Sequence, residues 1–548
     1  MHHLLGRAAA VVAVPALSLT ALGAVAPSAQ AAQAAPDPAP AAASAGWLAG
    51  QLTDGVLHND QYDFDDYGLS IDAALALHAV GGQDAAVQAV SDRLAANIAE
   101  YAAPAKYGTN VSAGGTAKAL VLAQAAGDDP ASYGGADLVD QLEGRVATSG
   151  AIAGRIQDDV DTTQAGAADY ANVIGQAYAV QGLDAAGSAS TDAATDFLLA
   201  QQCAGGWFRL YFADAGAADQ SCDGDATSSA DTDVTAIAVL ALLGQADDTD
   251  VAAHLDAAER WLLDAQRANG SFGGGTSTEA PNANSTGLAG WALGALGDTD
   301  AAADAASWVR GHQATNVANC VYYAARDLGA IAYDNAARRA VQGTPIDATT
   351  QDQFRRATAQ SLPALQWAPA GSGDPHALFA AEYVKAGGKK PVGVIDAAPG
   401  EALCAMLGEQ SVLGYATQAG EGTLRVRIPS KTATSKVTVA NAAGTFGTVK
   451  IRALGAKTLP FTLKRVVSPG DKQVIKVRDL APGELYSIDI TWPSRPTSGA
   501  AGGSVGQASR KGIAVLRTKV PHRLGKATVK IRGQFGNRKA AGSFTVTR

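Results

Sequence analysis

Aromatic and charged side chains are both scarce in this sequence of 548 residues. Phe, Trp and Tyr make up 6% of the chain, and Asp, Glu, Lys and Arg together make up 17%. A coiled coil needs far more charge, and hydrophobic residues at 47% are too many for a long disordered chain. The composition therefore predicts a folded protein with a sizeable core, and the length suits about three domains.

The amino terminus has the pattern of a secretory signal peptide. Arg7 precedes an apolar run over residues 8–26, and small residues at 29–34 supply two sites of the kind that signal peptidase cleaves. No other stretch is long and apolar enough to span a bilayer, and no cysteine near the cleavage site could carry a lipid. We predict a signal peptide and the start of an Ala/Pro linker in residues 1–34, and a secreted chain without a transmembrane anchor.

Cysteine is limited to four residues: Cys203, Cys222, Cys320 and Cys404. An even count in an exported chain favours two disulfides, for which three connectivities exist. We favour Cys203–Cys222 with Cys320–Cys404, because the first two bracket one loop. A metal cluster would need a CxxC motif or Cys and His at ligand spacing, and neither occurs.

The net charge of −10 is the sum of two oppositely charged parts. Residues 421–548 hold 24 Lys and Arg against five acidic residues, whereas residues 1–420 hold 18 against 47. Up to about residue 388 the chain is Ala-rich with helical periodicity, and after Leu424 it alternates apolar and polar residues as β-strands do. We predict a mainly α body at 43–388, a β domain at 421–493, a Gly/Ser-rich linker at 494–510 and a β segment at 511–548. The β part should be an Ig-like sandwich or a related fold.

Two elements repeat through the helical body. The first pairs an aromatic with an aliphatic residue, followed by Gln, as in Trp47-Leu48 with Gln51 and Trp261-Leu262 with Gln266. The second is an Ala/Leu-rich helix that opens on a small or polar residue. Because the second helices are apolar all round and the first are amphipathic, we expect a double ring with the apolar helices inside. The inner helices should begin near these residues: Ser70, Thr116, Asn172, Thr235 and Thr286.

The segments GWLAGQL, DFLLAQQCAGGW and RWLLDAQRANGSF resemble the prenyltransferase/squalene-oxidase (QW) repeat of terpenoid cyclases and protein prenyltransferase β subunits. The resemblance covers residues 43–388 and implies an α/α toroid of about six helical hairpins. That fold is used by cyclases, transferases, polysaccharide-degrading enzymes and ligand binders, so the resemblance implies no single activity.

The segment Asp231-Thr232-Asp233-Val234-Thr235-Ala236 is similar to the DxDDTA signature of class II terpene cyclases. The resemblance implies that Asp233 would protonate an alkene with Asp231 beside it, but Val234 stands where the signature has its last Asp. The alternative is that both carboxylates cap an inner helix. The scarcity of aromatic rings also disfavours a carbocation-handling enzyme. A prenyltransferase zinc site would need Asp-x-Cys, which does not occur.

Polar residues are concentrated in the loops that precede the inner helices, which a toroid would gather at one mouth. Such a rim would suit Ca²⁺, a polyhydroxylated or cationic ligand, or glycosidase chemistry by paired carboxylates. Plain helix capping is the alternative, and the aromatics could equally fill the core under the loops. The candidate ligand-binding residues are Asp63, Asp65, Asp66, Asp159, Asp161, Trp207, Tyr211 and Asn284.

The basic β tail is the second functional lead. Its strands place Lys and Arg on one face, which suits an anionic cell-wall polymer or polysaccharide bound by a salt-sensitive mechanism. The rival is pairing with the acidic toroid, and nucleic acid fits poorly because stacking aromatics are few. Two functions stay open: a non-catalytic, secreted binding protein associated with the cell envelope, or an enzyme of the toroid superfamily using Asp233 or rim carboxylates.

Overall fold

The computed structural model describes residues 35–104, 108–161, 163, 167–379, 382–493 and 501–548. The predicted signal peptide lies outside these residues. The described residues up to 361 form fourteen α-helices and one two-stranded hairpin. The helices are α1 Pro38–Ala49, α2 Tyr67–Val80, α3 Asp84–Ala95, α4 Ile98–Ala102, α5 Ala113–Ala126, α6 Leu138–Glu143, α7 Val173–Ala185, α8 Thr191–Leu199, α9 Thr232–Leu242, α10 Thr249–Ala265, α11 Ala283–Leu296, α12 Thr299–Arg310, α13 Asn335–Ala340 and α14 Gln351–Ser361; the hairpin is β1 His58–Asn59 with β2 Phe64–Asp65.

Six helices form a closed inner ring. Helices α2, α5, α7, α9, α11 and α14 each contact the next in that order, and α14 contacts α2. Helices α1, α3, α6, α8, α10 and α12 lie outside the ring, each packed on one or two inner helices. The predicted α/α toroid of six hairpins is therefore confirmed.

Five of the six inner helices, all except α14, are built largely from small and aliphatic residues that pack on all sides. Helix α9, with the sequence TDVTAIAVLAL, buries eight of its eleven residues. Glycine allows the closest approach between α5 and α7, where a Cβ added at Gly175 would lie 3.0 Å from the Cα of Gly114. The outer helices instead bury one stripe, as α10 does with Val251 and Leu255.

The predicted starts of four inner helices are one turn too late. Asp231 and Asn282 cap α9 and α11, as Asp66 and Ser112 cap α2 and α5. The predicted starting residues lie inside the first turns because their hydroxyls have another role. Thr235 accepts a hydrogen bond from the Phe208 backbone N–H at 2.9 Å. Asn172 was predicted correctly as the cap of α7.

The repeated glutamine joins neighbouring outer helices. Gln266 Nε2 donates to the carbonyl of Ala301 in α12 at 2.9 Å. Gln313 Nε2 donates to the carbonyl of Pro40 in α1 at 2.7 Å, so the same bond links the last hairpin to the first. Glycine in the turn after the glutamine permits this packing: Gly270 has φ +82°, and a Cβ there would lie 2.2 Å from the Asp304 carbonyl oxygen.

The β region contains two sandwiches, each with its own core. The first has sheet orders β4-β10-β9-β6-β7 and β3-β5-β8, and the second has β11-β19-β18-β15-β16, with β13 beside β19, and β12-β14-β17. The first comprises β3 His376–Leu378, β4 Tyr383–Lys385, β5 Lys389–Ile395, β6 Ala402–Leu407, β7 Gln410–Tyr415, β8 Gly422–Arg427, β9 Ala433–Asn441 and β10 Gly444–Leu454. The second comprises β11 Lys457–Thr458, β12 Phe461–Thr462, β13 Val466–Val467, β14 Lys472–Val477, β15 Leu485–Thr491, β16 Ala501–Gln507, β17 Ala514–Lys519, β18 Gly525–Gly533 and β19 Arg538–Val546.

The observed boundaries differ from the predicted ones in two places. Strands begin at His376, inside the predicted helical body of 43–388 and before the predicted β domain of 421–493. Strand β6 is buried on both faces, so it shows no alternation from which a strand could be predicted. Strand β16 lies inside the predicted linker at 494–510, where pairing with β15 orders a Gly-rich segment; residues 494–500 lie outside the described residues. The segment 511–548 belongs to the second sandwich.

Both predicted disulfides are confirmed. Cys203–Cys222 closes the loop before α9, and Cys320–Cys404 connects the toroid to β6 of the first sandwich. Arg310, at the end of α12, strengthens that junction by donating to the carbonyls of Pro369 at 2.7 Å and Pro399 at 3.0 Å. The first sandwich is thus held to the toroid by a covalent bond and by a buried guanidinium.

Candidate functional site

A cavity of about 480 Å³ occupies the centre of the toroid, and all six inner helices contribute to its wall. Most of the wall is aliphatic. Two aromatic side chains, Tyr178 and Trp291, and a few polar groups interrupt it. The principal lining residues are Asp72, Leu75, Val121, Gln124, Tyr178, Gln181, Ile237, Leu240, Leu288, Trp291 and Gln360.

Polar side chains lie one turn before the lining residues on several inner helices. On α9, Asp233 precedes Ile237 by four residues, and on α11 Asn284 precedes Leu288 by four, so each pair shares a helix face. On α5, Lys118 precedes Val121 by three residues, which also places the two on one helix face. The amino-terminal turns of the inner helices therefore place a polar layer beside an apolar cavity.

A buried ion pair joins α2 to α5 in this layer. Lys118 Nζ lies 2.6 Å from Asp72 Oδ1, donates to the Gly68 carbonyl at 3.0 Å, and lies 5.8 Å from the centre of the Tyr178 ring. Burial opposes the charge on Lys118, but Asp72 and the neighbouring Tyr178 and Tyr101 outweigh burial and raise the pKa of the lysine. The lysine therefore keeps its positive charge beside Asp72, which lines the cavity.

Asp233 is the candidate acid of the polar layer. Its Oδ1 is fully buried and has no hydrogen-bond partner. Burial raises the pKa of Asp233 to about 6, the charge of Asp231 adds to the rise, and the side chain of Ser285 opposes it. Asp231 has a different role, because its Oδ1 accepts the backbone N–H groups of Asp233 at 2.9 Å and Val234 at 3.2 Å. The capping alternative therefore describes Asp231, whereas Asp233 is left as a protonatable group.

A glycine-rich loop lies against both carboxyl groups. A Cβ added at Gly275 would lie 2.3 Å from Asp231 Oδ2, and one at Gly274 would lie 3.2 Å from Asp233 Oδ2. Asn284 contributes a second buried oxygen, Oδ1, that has no partner. The loop backbone covers the acid from one side, and only glycine leaves room for it.

The three predicted rim aspartates before α2 do come together. Asp63, Asp65 and Asp66 line a second cavity of about 860 Å³, which also contains Arg93 and Tyr101. Their charges are largely engaged by cations. Asp65 contacts His58 at 2.8 Å and Arg93 at 2.9 Å; the bond to His58, together with Arg93, lowers the pKa of the carboxyl group.

The rest of the predicted rim is divided among local roles. Asp66 caps α2 and contacts Arg356 at 2.6 Å, and Asp159 contacts Arg145 at 3.0 Å. Asp161 accepts hydrogen bonds from Thr163 that lower its pKa. Asp66 thus acts as a helix cap, as in the alternative that the sequence left open, whereas Asp159 is an ion-pair partner and Asp161 is hydrogen-bonded to Thr163.

The loop between α8 and α9 holds the two predicted aromatic residues. Trp207 is partly buried beside the Cys203–Cys222 loop, and Tyr211 is 73% exposed. Within the described residues, no group of three His, Cys, Asp or Glu side chains is placed to hold a metal ion.

The β region carries pairs of like charges directly opposite each other on neighbouring strands. Each pair faces solvent and joins two strands of an antiparallel ladder. Like charges in such positions destabilise a sheet. The pairs are Lys389 with Arg427, Lys436 with Lys450, Lys472 with Lys519, and Arg532 with Lys539.

In the part of the chain that the structure describes, three of these four pairs have no acidic partner, and the fourth, Arg532 with Lys539, has one. Glu484 is buried against Arg538, and Asp479 pairs with Lys457 at 2.9 Å. Asp489 approaches Arg532 at 3.6 Å. Among the described residues, no ion pair joins the segment from residue 421 onward to the toroid. Within the described residues, the Lys and Arg side chains from residue 421 onward are therefore not paired with carboxylates of the toroid.

The residues that shape the cavity were mostly missing from the predicted site. Lys118, Tyr178 and Trp291 lie in the middle of helices whose sequences predicted only burial. A lysine within an otherwise apolar inner helix was the available signal, since a buried lysine needs a partner. Gln360 lies on α14, which the repeat pattern did not reveal.

No family model and no curated protein matches this chain. A type II terpene cyclase from Scytonema, MstE, is similar at 15% identity with a TM-score of 0.39, over 60% of this chain and 96% of that one. The FN1–FN3 domains of chicken CNTN1 are similar at 12% identity with a TM-score of 0.20, over 30% of this chain and 63% of that one. The Yersinia pseudotuberculosis adhesin InvE is similar at 13% identity with a TM-score of 0.17, over 32% of this chain and 59% of that one.

Among the described residues, no helix combines the length and the apolar character that crossing a bilayer requires.

Proposed function

We propose that the protein is a secreted, non-catalytic binding protein of the cell envelope, in which the basic β region docks to an anionic polymer and the toroid holds a ligand. The four like-charge pairs on solvent-facing strands carry the proposal. Each costs stability, and in a functional surface that cost is offset when a polyanion binds between the charges. Two disulfides also suit the oxidising conditions outside the cell.

Salt-sensitive binding to isolated cell walls tests the docking role. The full chain is compared with the variant Lys450→Gln, Lys519→Gln, Lys539→Gln, which interrupts three of the pairs. The control, Arg260→Gln, Arg326→Gln, Arg339→Gln, removes the same charge from exposed positions of the toroid. We expect the first variant alone to lose binding at low salt. Equal binding by the two variants, or binding indifferent to salt, would contradict the docking role.

The toroid ligand is expected to be a small, largely apolar molecule with a group that accepts or donates hydrogen bonds. The wall of the central cavity is mostly aliphatic, and Asp72, Gln124 and Gln181 supply polar contacts. N-phenyl-1-naphthylamine, a neutral apolar dye, serves as the probe. Its fluorescence should rise with the full chain and fall when Ala125→Trp and Ala295→Trp fill the cavity. A signal unaffected by filling would place the dye elsewhere.

A second candidate function is acid catalysis by Asp233. The observation that favours it is a carboxyl with a pKa near 6 and a buried, unpartnered oxygen, on the helix face that continues into the cavity. In this role Asp233 would protonate an alkene, and the rings of Tyr178 and Trp291 would stabilise the resulting cation.

Substrate turnover separates the two functions. Purified protein is incubated with linear isoprenoids, and cyclised products are sought by mass spectrometry. Conversion that Asp233→Asn abolishes without changing the fold would establish the enzyme. Under the binding proposal no conversion occurs, and Asp233→Asn leaves attachment to cell walls unchanged.

A further inference from the structure

The second sandwich has positive charge on both of its outward faces. On the β14–β17 face these side chains are Lys472, Lys476, Arg517 and Lys519, and on the β18–β19 face they are Lys526, Lys530, Arg532 and Lys539. The intervening residues are mostly buried in β14, β18 and β19, and in β17 they are buried or half-buried, as the alternation of a sheet requires. A charge pattern meant only for solubility would mix both signs, but β14, β17, β18 and β19 contain no acidic residue. On the second face a single carboxylate, Asp489 of β15, lies opposite Lys530 and pairs with Arg532 at 3.6 Å, so the face keeps a net positive charge.

The two faces point in opposite directions. Ile475 and Val477 from one sheet and Val529 and Ile531 from the other lie in a single core between the sheets. Packed sheets are about 10 Å apart, so side chains on the two outer faces are separated by the whole thickness of the sandwich. A polymer strand lying along one face leaves the other face free.

The composition of the faces indicates which anion they fit. Six of the eight cationic side chains are lysines, which bind phosphate groups as point charges and need no fixed bidentate geometry. Sugar rings and nucleobases are usually bound by stacking on aromatic side chains. In the described part of the second sandwich no aromatic side chain is more than partly exposed: Phe461, Tyr486, Trp492, Phe535 and Phe544.

We propose that the second sandwich binds two separate strands of a poly(polyol phosphate), one on each outward face, and so cross-links the polymer. The proposal rests on the docking role proposed above and adds its valency and its chemistry. Two sites facing opposite ways also give the molecule avidity for a dense polymer layer, because the second contact follows the first at a high effective concentration.

A two-polymer capture assay tests the cross-linking. In every protein of the assay, Lys389→Gln and Lys450→Gln interrupt the two like-charge pairs of the first sandwich, so that only the faces of the second sandwich are compared. Each full-length protein is bound to immobilised poly(glycerol phosphate), and fluorescent poly(glycerol phosphate) is then added at low salt. We expect capture of the labelled strand. The variants Lys472→Gln, Lys476→Gln, Lys519→Gln and, separately, Lys526→Gln, Lys530→Gln, Lys539→Gln should each still bind the immobilised polymer and capture no labelled strand. The toroid control Arg260→Gln, Arg326→Gln, Arg339→Gln should behave as the protein with both faces intact.

The outcomes distinguish this proposal from the docking role. Absence of any binding by the wild type contradicts docking itself. Binding without capture, or capture by either single-face variant, overturns the two-strand proposal and leaves docking intact. Thermal melting of each variant, unchanged within experimental error or raised, shows that lost capture is not lost folding. Single-stranded DNA of equal charge is the competitor, and tighter binding of DNA would overturn the assignment to polyol phosphate.

Discussion

Replacing Lys519 with Glu should make the protein more stable and a weaker polymer binder. Lys519 faces Lys472 across the β14–β17 ladder, and both side chains are exposed. Two unit charges ~8 Å apart in water interact by about 0.5 kcal/mol, so changing repulsion into attraction contributes about 1 kcal/mol at low ionic strength. Cross-strand charge pairs have measured effects of the same order.

Scanning calorimetry at ~10 mM salt measures the gain. For a domain of this size, about 1 kcal/mol corresponds to an increase in melting temperature of roughly 5 °C in the transition of the second sandwich. At 0.15 M salt the Debye length falls to ~8 Å, so most of the gain should disappear. The neutral variant Lys519→Gln should give about half of it.

Binding is measured on the same samples. If Lys519 serves polymer binding, Lys519→Glu should raise the stability of the protein and lower its retention on poly(glycerol phosphate). If Lys519→Glu lowers the melting temperature, Lys519 contributes to packing and not to repulsion. If retention is unchanged, the like-charge pair is not part of a binding surface. Either result would refute the reasoning.

Three further predictions concern buried groups. The pKa of Asp233 is raised from 3.8 to about 6, so the folded state keeps a proton that the unfolded state loses. The free energy of unfolding should therefore fall by about 3 kcal/mol as the pH rises from about 3 to about 7, and urea titrations of Asp233→Asn should lack this fall. The double variant Cys320→Ser, Cys404→Ser opens a loop with a sequence separation of 84 and should lower the free energy of unfolding, measured by calorimetry, by about 4 kcal/mol. An unchanged free energy of unfolding would contradict the coupling of the toroid to the first sandwich. Glu484→Ala leaves Arg538 buried without its partner and should cost about 3 to 5 kcal/mol in urea denaturation, whereas a loss under 1 kcal/mol would mean that water reaches the guanidinium.

The inner ring shows which parts of the fold can be predicted from sequence. Five inner helices are apolar around their whole circumference, which leaves burial as the only solution. The sixth, α14, begins QDQFRRATAQ and looks like a surface helix. It closes the ring because Arg356 pairs with Asp66, the cap of α2, and because Thr358 accepts the Ile331 backbone N–H at 2.9 Å. These are tertiary contacts, and no periodicity within the helix predicts them.

The candidate sites also differ in how far the sequence alone predicts them. The motif around Asp233 could be found from its spacing, and the excess of Lys and Arg from counting. Which lysines oppose each other depends on strand register, and a slip of one residue would turn each pair toward the core. The ion pair of Lys118 with Asp72 depends on the order of helices around the ring. Both features therefore became visible only in three dimensions.

The disulfide between Cys320 and Cys404 also determines how a pulling force would travel through the molecule. If the basic sandwiches are held by a polymer while the toroid is pulled, tension passes from β6 through the sulfur atoms directly to the residues before Cys320. The 83 residues from 321 to 403 then form a covalently bypassed loop that carries no load along its backbone. This loop contains α14, the helix that closes the inner ring. The ring and its central cavity would thus stay closed under a tension applied through the tail.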